Sequence, residues 1–382
     1  MTASPLAPLE VAGRLDRFRS LFDTAGAGGD PVDAVLVTTP ANIRWLSGFT
    51  GSSGLLLVTR EQALLTTDGR YRTQAGEQLA AVGVDRDVEI CIGGVQVQRE
   101  ALRAGSEGVA LLGLEADHVT WSSQHSWDEL FADADLTPTR GVVEGLRVTK
   151  DTGEVARMER AAAIADEALA SVLPLLAGVG RGADGDVTES RFAAALDHAM
   201  RERGAEESAF ETIVASGENS AKPHARPGQR LIRRGDPVVV DFGAVFDGYR
   251  SDMTRTFCIG SAPTGELASV FDVVAASQRA GVEAVAPGVV AGRVDEVCRE
   301  VIATSGWAER FEHGTGHGVG LDIHEGPSVG PGSTAILVLG TVVTVEPGVY
   351  LPETGGVRIE DTLVVTEHGS RALTQFPKEV AV

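Results

Sequence analysis

Val238-Val239-Val240-Asp241-Phe242-Gly243-Ala244-Val245-Phe246-Asp247-Gly248-Tyr249-Arg250-Ser251-Asp252-Met253-Thr254-Arg255-Thr256-Phe257 is the stretch on which the fold turns. Two β-prone runs, 238–246 and 249–257, flank Asp247-Gly248, a strong short-range signal for a two-residue hairpin turn. With that turn Phe246 faces Tyr249 and, counting outward, Asp241 stands opposite Thr254. Asp252 shares a face with Thr254, so the Asp241 and Asp252 carboxylates project to one side with Cα atoms roughly 7 to 8 Å apart, within reach of one cation. Single aspartates on hairpins are common, and a polar face turned to water would explain these two alone.

A second carboxylate pair weakens that reading. Thr341-Val342-Val343-Thr344-Val345 is apolar and β-branched, as a buried strand should be, and it ends in Glu346-Pro347-Gly348. A glutamate there needs a partner. In Gly356-Val357-Arg358-Ile359-Glu360-Asp361, strand alternation puts Arg358 and Glu360 on one face, and Arg358 could neutralise Glu360 without any metal. The third element is His313-Gly314-Thr315-Gly316-His317-Gly318-Val319-Gly320-Leu321-Asp322-Ile323-His324-Glu325-Gly326-Pro327, which holds three of the chain's eight histidines among glycines that permit turns and close backbone approach. One histidine in such a loop would mean little; three, beside two carboxylate pairs on buried-looking strands, favour metal ligation. His224, in Lys222-Pro223-His224-Ala225-Arg226-Pro227-Gly228, is a fourth candidate whose plainer reading is an exposed loop residue.

Charge decides the kind of centre. Asp241, Asp252, Glu346 and Glu360 bring four negative charges, which two divalent ions would balance; clustered without metal they could not all stay ionised. With one imidazole, His317, and no thiolate, the set suits Mn²⁺, Co²⁺ or Zn²⁺ and not an iron–sulfur cluster or structural zinc. A two-metal centre of this type clamps a bridging water, lowers its pKa and polarises a carbonyl, as amide hydrolysis requires.

The rest of the chain bounds the alternatives. Its 382 residues allow two or three domains, with 43% hydrophobic and 23% charged residues as in ordinary globular proteins, and 46 glycines without collagen-like periodicity. A net charge of −21 opposes nucleic-acid and anionic-membrane partners. Cys91, Cys258 and Cys298 are scattered, as expected in a reducing compartment, and residues 1–15 show no signal-peptide pattern, so the expected location is cytoplasmic. Residues 33–37 and 55–58 read as buried strands; 71–81, 154–176, 188–203, 267–286 and 294–305 read as helices. In the second of these helices Val155, Met158, Ala162, Ala165, Leu169 and Val172 form a core stripe. The polar turn before it places a domain boundary near residue 150, giving 1–150 and 151–382, and helices interleaved with antiparallel strands make the second part α+β.

The motifs Asp241-Phe-Gly-Ala, Gly248-Tyr-Arg-Ser-Asp252-Met-Thr-Arg-Thr256, His313 to Pro327, Val345-Glu346-Pro-Gly348 and Arg358-Ile-Glu360-Asp361, in this order, resemble the pita-bread dinuclear metallopeptidases, the family of methionine aminopeptidase, aminopeptidase P and prolidase. The resemblance runs from about Glu154 to the C-terminus. Asn42-Ile-Arg-Trp45-Leu-Ser-Gly48-Phe49-Thr-Gly51-Ser52 and Thr67-Asp68-Gly-Arg70-Tyr71-Arg-Thr-Gln74-Ala75 are similar to the N-terminal domain of the proline-specific branch and of creatinase, which methionine aminopeptidases lack. Taken alone, the first of these would be a turn-rich loop; in the family it lies near the active site or dimer interface. Creatinase lacks the metal ligands, so the intact set here argues against its chemistry.

The resemblance implies an α+β pita-bread catalytic domain behind a smaller α/β creatinase-type N-terminal domain, a homodimer, and two divalent ions per chain, Mn²⁺ first. Asp241 would chelate one ion, Asp252 and Glu360 would bridge both, and His317 and Glu346 would complete the second. It implies further that Glu346 shuttles a proton from the attacking bridging hydroxide to the leaving imino nitrogen, that His224 and His324 hold the scissile carbonyl, that His313 lines the proline side, and that Arg358 orients the carboxylates. The implied activity is Xaa-Pro aminopeptidase, removing an N-terminal residue ahead of proline. Prolidase, which cuts only dipeptides, is the alternative, and a non-catalytic peptide- or partner-binding protein on the same scaffold is a third. Arg226 could reach a substrate carboxylate or simply be solvated.

Overall fold

The computed structural model describes residues 6–180, 187–378 and 381–382; the first five residues of the opening segment read above lie outside them. Contacts divide the chain into two compact units, one of Ala7–Arg147 and the other of Val148–Val382.

The N-terminal unit is built on a mixed sheet of β1 (Ala34–Val37), β2 (Gly54–Thr59), β3 (Ala63–Thr67), β4 (Glu89–Ile92), β5 (Leu111–Glu115) and β6 (Asp135–Thr139), in the order β4-β3-β2-β1-β5-β6. β1 is buried throughout, because it is flanked on both edges by other strands, antiparallel β2 and parallel β5. The Asn42 motif differs from the loop that its glycines suggest. Pro40–Ser47 is a helix with proline in its first turn, and Gly48, at φ 76°, closes it by donating its N–H to the Arg44 carbonyl. Asn42 is fully buried and donates to Glu115 and Glu144 while accepting from Arg147.

The C-terminal unit repeats one idea twice, a helix pair laid on a curved antiparallel sheet. Its strands are β7 (Ile213–Ser216), β8 (Pro237–Phe242), β9 (Val245–Phe246), β10 (Tyr249–Arg250), β11 (Met253–Cys258), β12 (Gly316–Gly318), β13 (Glu325–Val329), β14 (Val342–Val345), β15 (Gly348–Leu351), β16 (Gly355–Arg358), β17 (Asp361–Thr366) and β18 (Gly369–Ala372). Helices Thr152–Ala177 and Glu189–Glu202 bury Leu169, Phe192 and Leu196 with Val238, Val240 and Phe242 of the β11-β8-β7 sheet. Helices Gly265–Ala284 and Ala291–Thr304 bury Val270, Val274, Val294 and Cys298 with Val343, Val345 and Leu363 of the β13-β12-β14-β17-β18 sheet. The first long helix opens on a capping box in which Asp151 accepts from the Glu154 N–H and Glu154 reaches back. Five of its six predicted stripe residues are buried, and Val155, in the first turn, is half-buried.

The hairpin register is the one that the Asp247-Gly248 turn dictates, with Tyr249 opposite Phe246 and Thr254 opposite Asp241. Each predicted run is nevertheless split in two. At the break Ser251 donates its N–H to the Ala244 carbonyl, and its Oγ accepts from the Ala244 N–H in place of a ladder carbonyl. Gly243 is needed there, since a Cβ would fall 1.9 Å from the Ser251 carbonyl oxygen. The run 356–361 is split likewise: Arg358 ends β16, paired with β15, and Asp361 begins β17, paired with β14. Ile359 and Glu360 lie in the crossing between these sheets.

Candidate active site

All nine side chains singled out in the sequence line one cavity of about 540 Å³: His224, Asp241, Asp252, His313, His317, His324, Glu346, Arg358 and Glu360. They arrive from both halves of the C-terminal unit. β8 and the start of β11 bring Asp241 and Asp252, the end of β14 brings Glu346, and the β16–β17 crossing brings Glu360. The glycines around His317 let β12 thread between its neighbours. A Cβ on Gly316 would lie 2.0 Å from the Thr344 carbonyl oxygen, and one on Gly318 2.1 Å from that of Gly326.

Hydrogen bonds hold Asp241, Glu346 and Glu360 before any ligand is considered. Glu346 N–H donates to the Thr315 carbonyl at 2.8 Å, and Thr344 Oγ1 approaches Glu346 Oε1 at 3.4 Å. Glu360 N–H donates to the Thr254 carbonyl, while Thr254 Oγ1 donates to Glu360 Oε2 at 2.8 Å. Arg358 does not neutralise Glu360, as its place in the sequence suggests. The crossing turns its guanidinium to Asp241, which it meets at 2.5 Å; the same group donates to Tyr350 Oη at 2.9 Å, to the Pro223 carbonyl at 3.2 Å and, through Nε, to Thr254 Oγ1 at 3.1 Å.

The histidines are set in definite tautomers by their neighbours. Nδ1–H of His317 donates to the Gly318 carbonyl at 3.0 Å, which leaves the Nε2 lone pair facing Asp252 at 3.6 Å and Glu346 at 3.5 Å. Burial lowers the His317 pKa to about 4, so at neutral pH these contacts are not ion pairs. His313 donates Nδ1–H to the Gly314 carbonyl and receives the Tyr350 hydroxyl at Nε2, 2.8 Å away; burial lowers its pKa also to about 4. His324 packs edge-on against His317, with ring centroids 4.3 Å apart, and His224 stands exposed in the cavity wall.

The donor set fits divalent cations. Ligand atoms of Asp252, His317 and Glu360 all lie within 4.8 Å of one another. Asp241 Oδ1 and Glu360 Oε1 are buried with no hydrogen-bond partner, which costs free energy unless a cation faces them. Desolvation and mutual repulsion hold the Asp252 and Glu360 carboxyls well above their ordinary pKa, and burial raises Glu346 to about 8. Carboxylates that resist ionising, beside an imidazole with a bare nitrogen, form a site short of positive charge.

Tyr350 and Thr254 were not legible as site residues. Tyr350 joins His313 to Arg358, and its only trace in the sequence is one tyrosine in a short apolar run; Thr254 carries no signal beyond its place opposite Asp241.

Two sheet-and-helix halves enclosing an oxygen-rich cation site define a pita-bread metallopeptidase, and residues 156–367 match the model of metallopeptidase family M24. The chain belongs to that family, and residues 14–149 match the creatinase/prolidase N-terminal domain. Among its relatives, the Xaa-Pro dipeptidase of Pyrococcus horikoshii is 35% identical over 91% of this chain and 94% of its own length. The solved Xaa-Pro dipeptidase from Bacillus anthracis superposes with a TM-score of 0.89 at 37% identity, covering 97% of this chain and 100% of its own. The X-Pro aminopeptidase from Thermotoga maritima superposes at 0.82 with 33% identity, covering 92% and 98%.

Proposed function

We propose that the protein is an Xaa-Pro aminopeptidase, which hydrolyses the bond between an N-terminal residue and a following proline in peptides longer than two residues. The observation that carries this reading is where the positive charge sits in the cavity. A dipeptide-only enzyme needs a cation for the carboxylate that follows directly on proline. Among the cavity-lining residues only Arg226 and Arg358 carry a permanent positive charge, and Arg358 is buried and bound to Asp241. Arg226 lies at the surface, its side chain 84% exposed and paired with Glu211 at 3.3 Å. The relatives named as dipeptidases give the prolidase reading its weight, and Arg226 swinging from Glu211 would be its clamp.

In this reading residues 1–150 form the N-terminal domain and 151–382 the catalytic one. Asp241, Asp252, His317, Glu346 and Glu360 would hold two divalent ions, Mn²⁺ by ligand preference. When bound, the ions supply an acidic water and polarise the scissile carbonyl. Glu346 would take the proton of the attacking water and return it to the proline nitrogen as the C–N bond breaks. His224 and His324 stand on the cavity wall to donate to the carbonyl oxygen as it gains charge, and His313, kept neutral, lines the proline side. Arg358 aims Asp241 through its hydrogen bond to Oδ2. A cytoplasmic location accords with three free cysteines and with the absence, among the described residues, of a helix long and apolar enough to cross a membrane; the homodimer rests on the family resemblance.

The test is release of the first residue, with Mn²⁺ present, from a matched pair: an Xaa-Pro dipeptide and the same sequence extended by several residues, each with a chelated control. The aminopeptidase reading expects the longer peptide to be cut at a comparable or better rate. Cleavage of the dipeptide alone establishes prolidase. If neither is cut by metal-loaded protein, the Xaa-Pro assignment fails.

A further inference from the structure

Glu189, at the start of helix Glu189–Glu202, does not line the cavity and has no exposed surface, yet its carboxylate takes donors from both ends of one loop. At the opening end Oε1 accepts from Ser216 N–H and Ser216 Oγ, each at 2.8 Å, and from Asn219 Nδ2 at 3.1 Å. At the closing end Oε2 accepts from the Gly228 N–H at 3.1 Å. Ser190 N–H donates to the Gly228 carbonyl, and Arg230 ties Ser216 Oγ to Asp236. Between these anchors lie Pro223, His224, Ala225, Arg226 and Pro227, a continuous piece of the cavity wall. The loop's other described holds are Ser220 Oγ, which accepts from Gly356 N–H, the Pro223 carbonyl, which accepts from Arg358, and the exposed ion pair of Arg226 with Glu211.

We infer that Glu189 is a positioning residue for catalysis: one buried carboxylate cinches the two ends of loop 217–228 and so holds His224 at the substrate carbonyl. The inference rests on the Xaa-Pro reading for what His224 does, but not for the clamp. The need for a carboxylate follows from the donor count. Four donor groups converge on two oxygens, and a glutamine would keep one oxygen but turn an NH₂ toward Gly228 N–H or Ser216 N–H, releasing one end of the loop.

The experiment compares wild type, Glu189→Gln, His224→Ala and the double variant as Mn²⁺-loaded full-length protein. Amide hydrogen exchange in E189Q should quicken about tenfold or more within 217–228 and stay unchanged at the metal-site strands, with metal content retained. On the extended Xaa-Pro peptide kcat should fall about ten- to a hundredfold with KM little changed, since a displaced His224 loses contact mainly with the transition state. In the H224A background the same substitution should cost almost nothing further. Unchanged exchange in the loop overturns the inference, as does loosening spread over the whole C-terminal unit. Losses from E189Q and H224A that simply multiply overturn the route through His224. If E189Q does not fold, Asn219→Ala, which removes one donor and leaves the glutamate, should show the same local pattern at smaller size; its absence overturns the clamp. A protein that cuts no Xaa-Pro peptide defeats the functional reading, and the exchange measurement then decides the clamp by itself.

Discussion

Loading the metal-free protein with divalent ions should expel protons, in a number that the site's own electrostatics sets. Burial puts the empty-site Glu346 carboxyl at a pKa of about 8, against an ordinary 4.5, so at pH 7 it holds about 0.9 of a proton. Asp252 and Glu360 are shifted the same way, by burial and by each other's charge. A carboxylate binds a cation only when ionised, whereas His317, already neutral at pH 7, has no proton to lose. Uptake of two ions should therefore release between about one and three protons at pH 7, and apparent affinity should rise roughly tenfold per pH unit for each proton displaced.

The same shifts fix how the metal-free protein responds to pH. The three groups have folded pKa values raised above the unfolded ones, so the native state holds protons that the unfolded chain has lost, for Glu346 between about pH 4.5 and 8. Stability therefore falls as pH rises, with Glu346 alone contributing about 1.4 kcal/mol per pH unit and about 5 kcal/mol across its window, and Asp252 and Glu360 acting in the same direction. Bound metal removes the penalty. Titration calorimetry with Mn²⁺ in two buffers of different ionisation enthalpy reads the protons, and urea unfolding from pH 5 to 8, with chelator or with Mn²⁺, reads the stability. Ion uptake at pH 7 without proton release, or a chelated protein that gains stability from pH 5 to 8, would refute the reasoning.

Other perturbations separate the parts of the site. Asp252→Ala or Glu346→Ala should abolish release of the first residue from Xaa-Pro peptides, and undiminished turnover in chelated protein would sink the metal mechanism. Arg358→Met strands Asp241 in a buried position and should cost the metal-free protein about 3 to 5 kcal/mol in urea unfolding, with Mn²⁺ restoring part of the loss. Gly316→Ala drives a methyl into the Thr344 carbonyl and should cost at least about 1 to 3 kcal/mol while weakening Mn²⁺ binding, because β12 carries His317. Leu169→Ala, deep in the first helix–sheet core, should cost about 2 to 5 kcal/mol with metal affinity unchanged below the melting temperature.

What could be read from the chain alone was whatever short-range chemistry determines. The Asp247-Gly248 turn sets the register of its own hairpin, so Asp241 and Thr254 face each other as the spacing requires. The stripe on Thr152–Ala177 is legible because helical periodicity and burial express one fact twice. The site was harder where partners come from afar. Arg358 is two residues from Glu360, and local alternation offers that pair first; the sheet crossing at Ile359 sends the guanidinium instead to Asp241, a residue 117 positions away. Residues 42–52 read as a turn-rich loop because Gly48, Gly51 and Ser52 crowd their second half, whereas Gly48 caps the helix Pro40–Ser47 and does not break it.

Glu189 marks the limit of that kind of reading. In the sequence it is an acidic residue at a helix start, where the helix dipole alone would justify it. Only the fold brings Ser216, Asn219 and Gly228 around its carboxylate and turns an ordinary first-turn glutamate into the anchor of a cavity wall. Residues that touch the ions announce themselves by type, since few side chains can ligate a hard cation. Residues that hold those groups in place need only one well-placed oxygen, which many residue types offer, so they become visible when burial and donor count are known together.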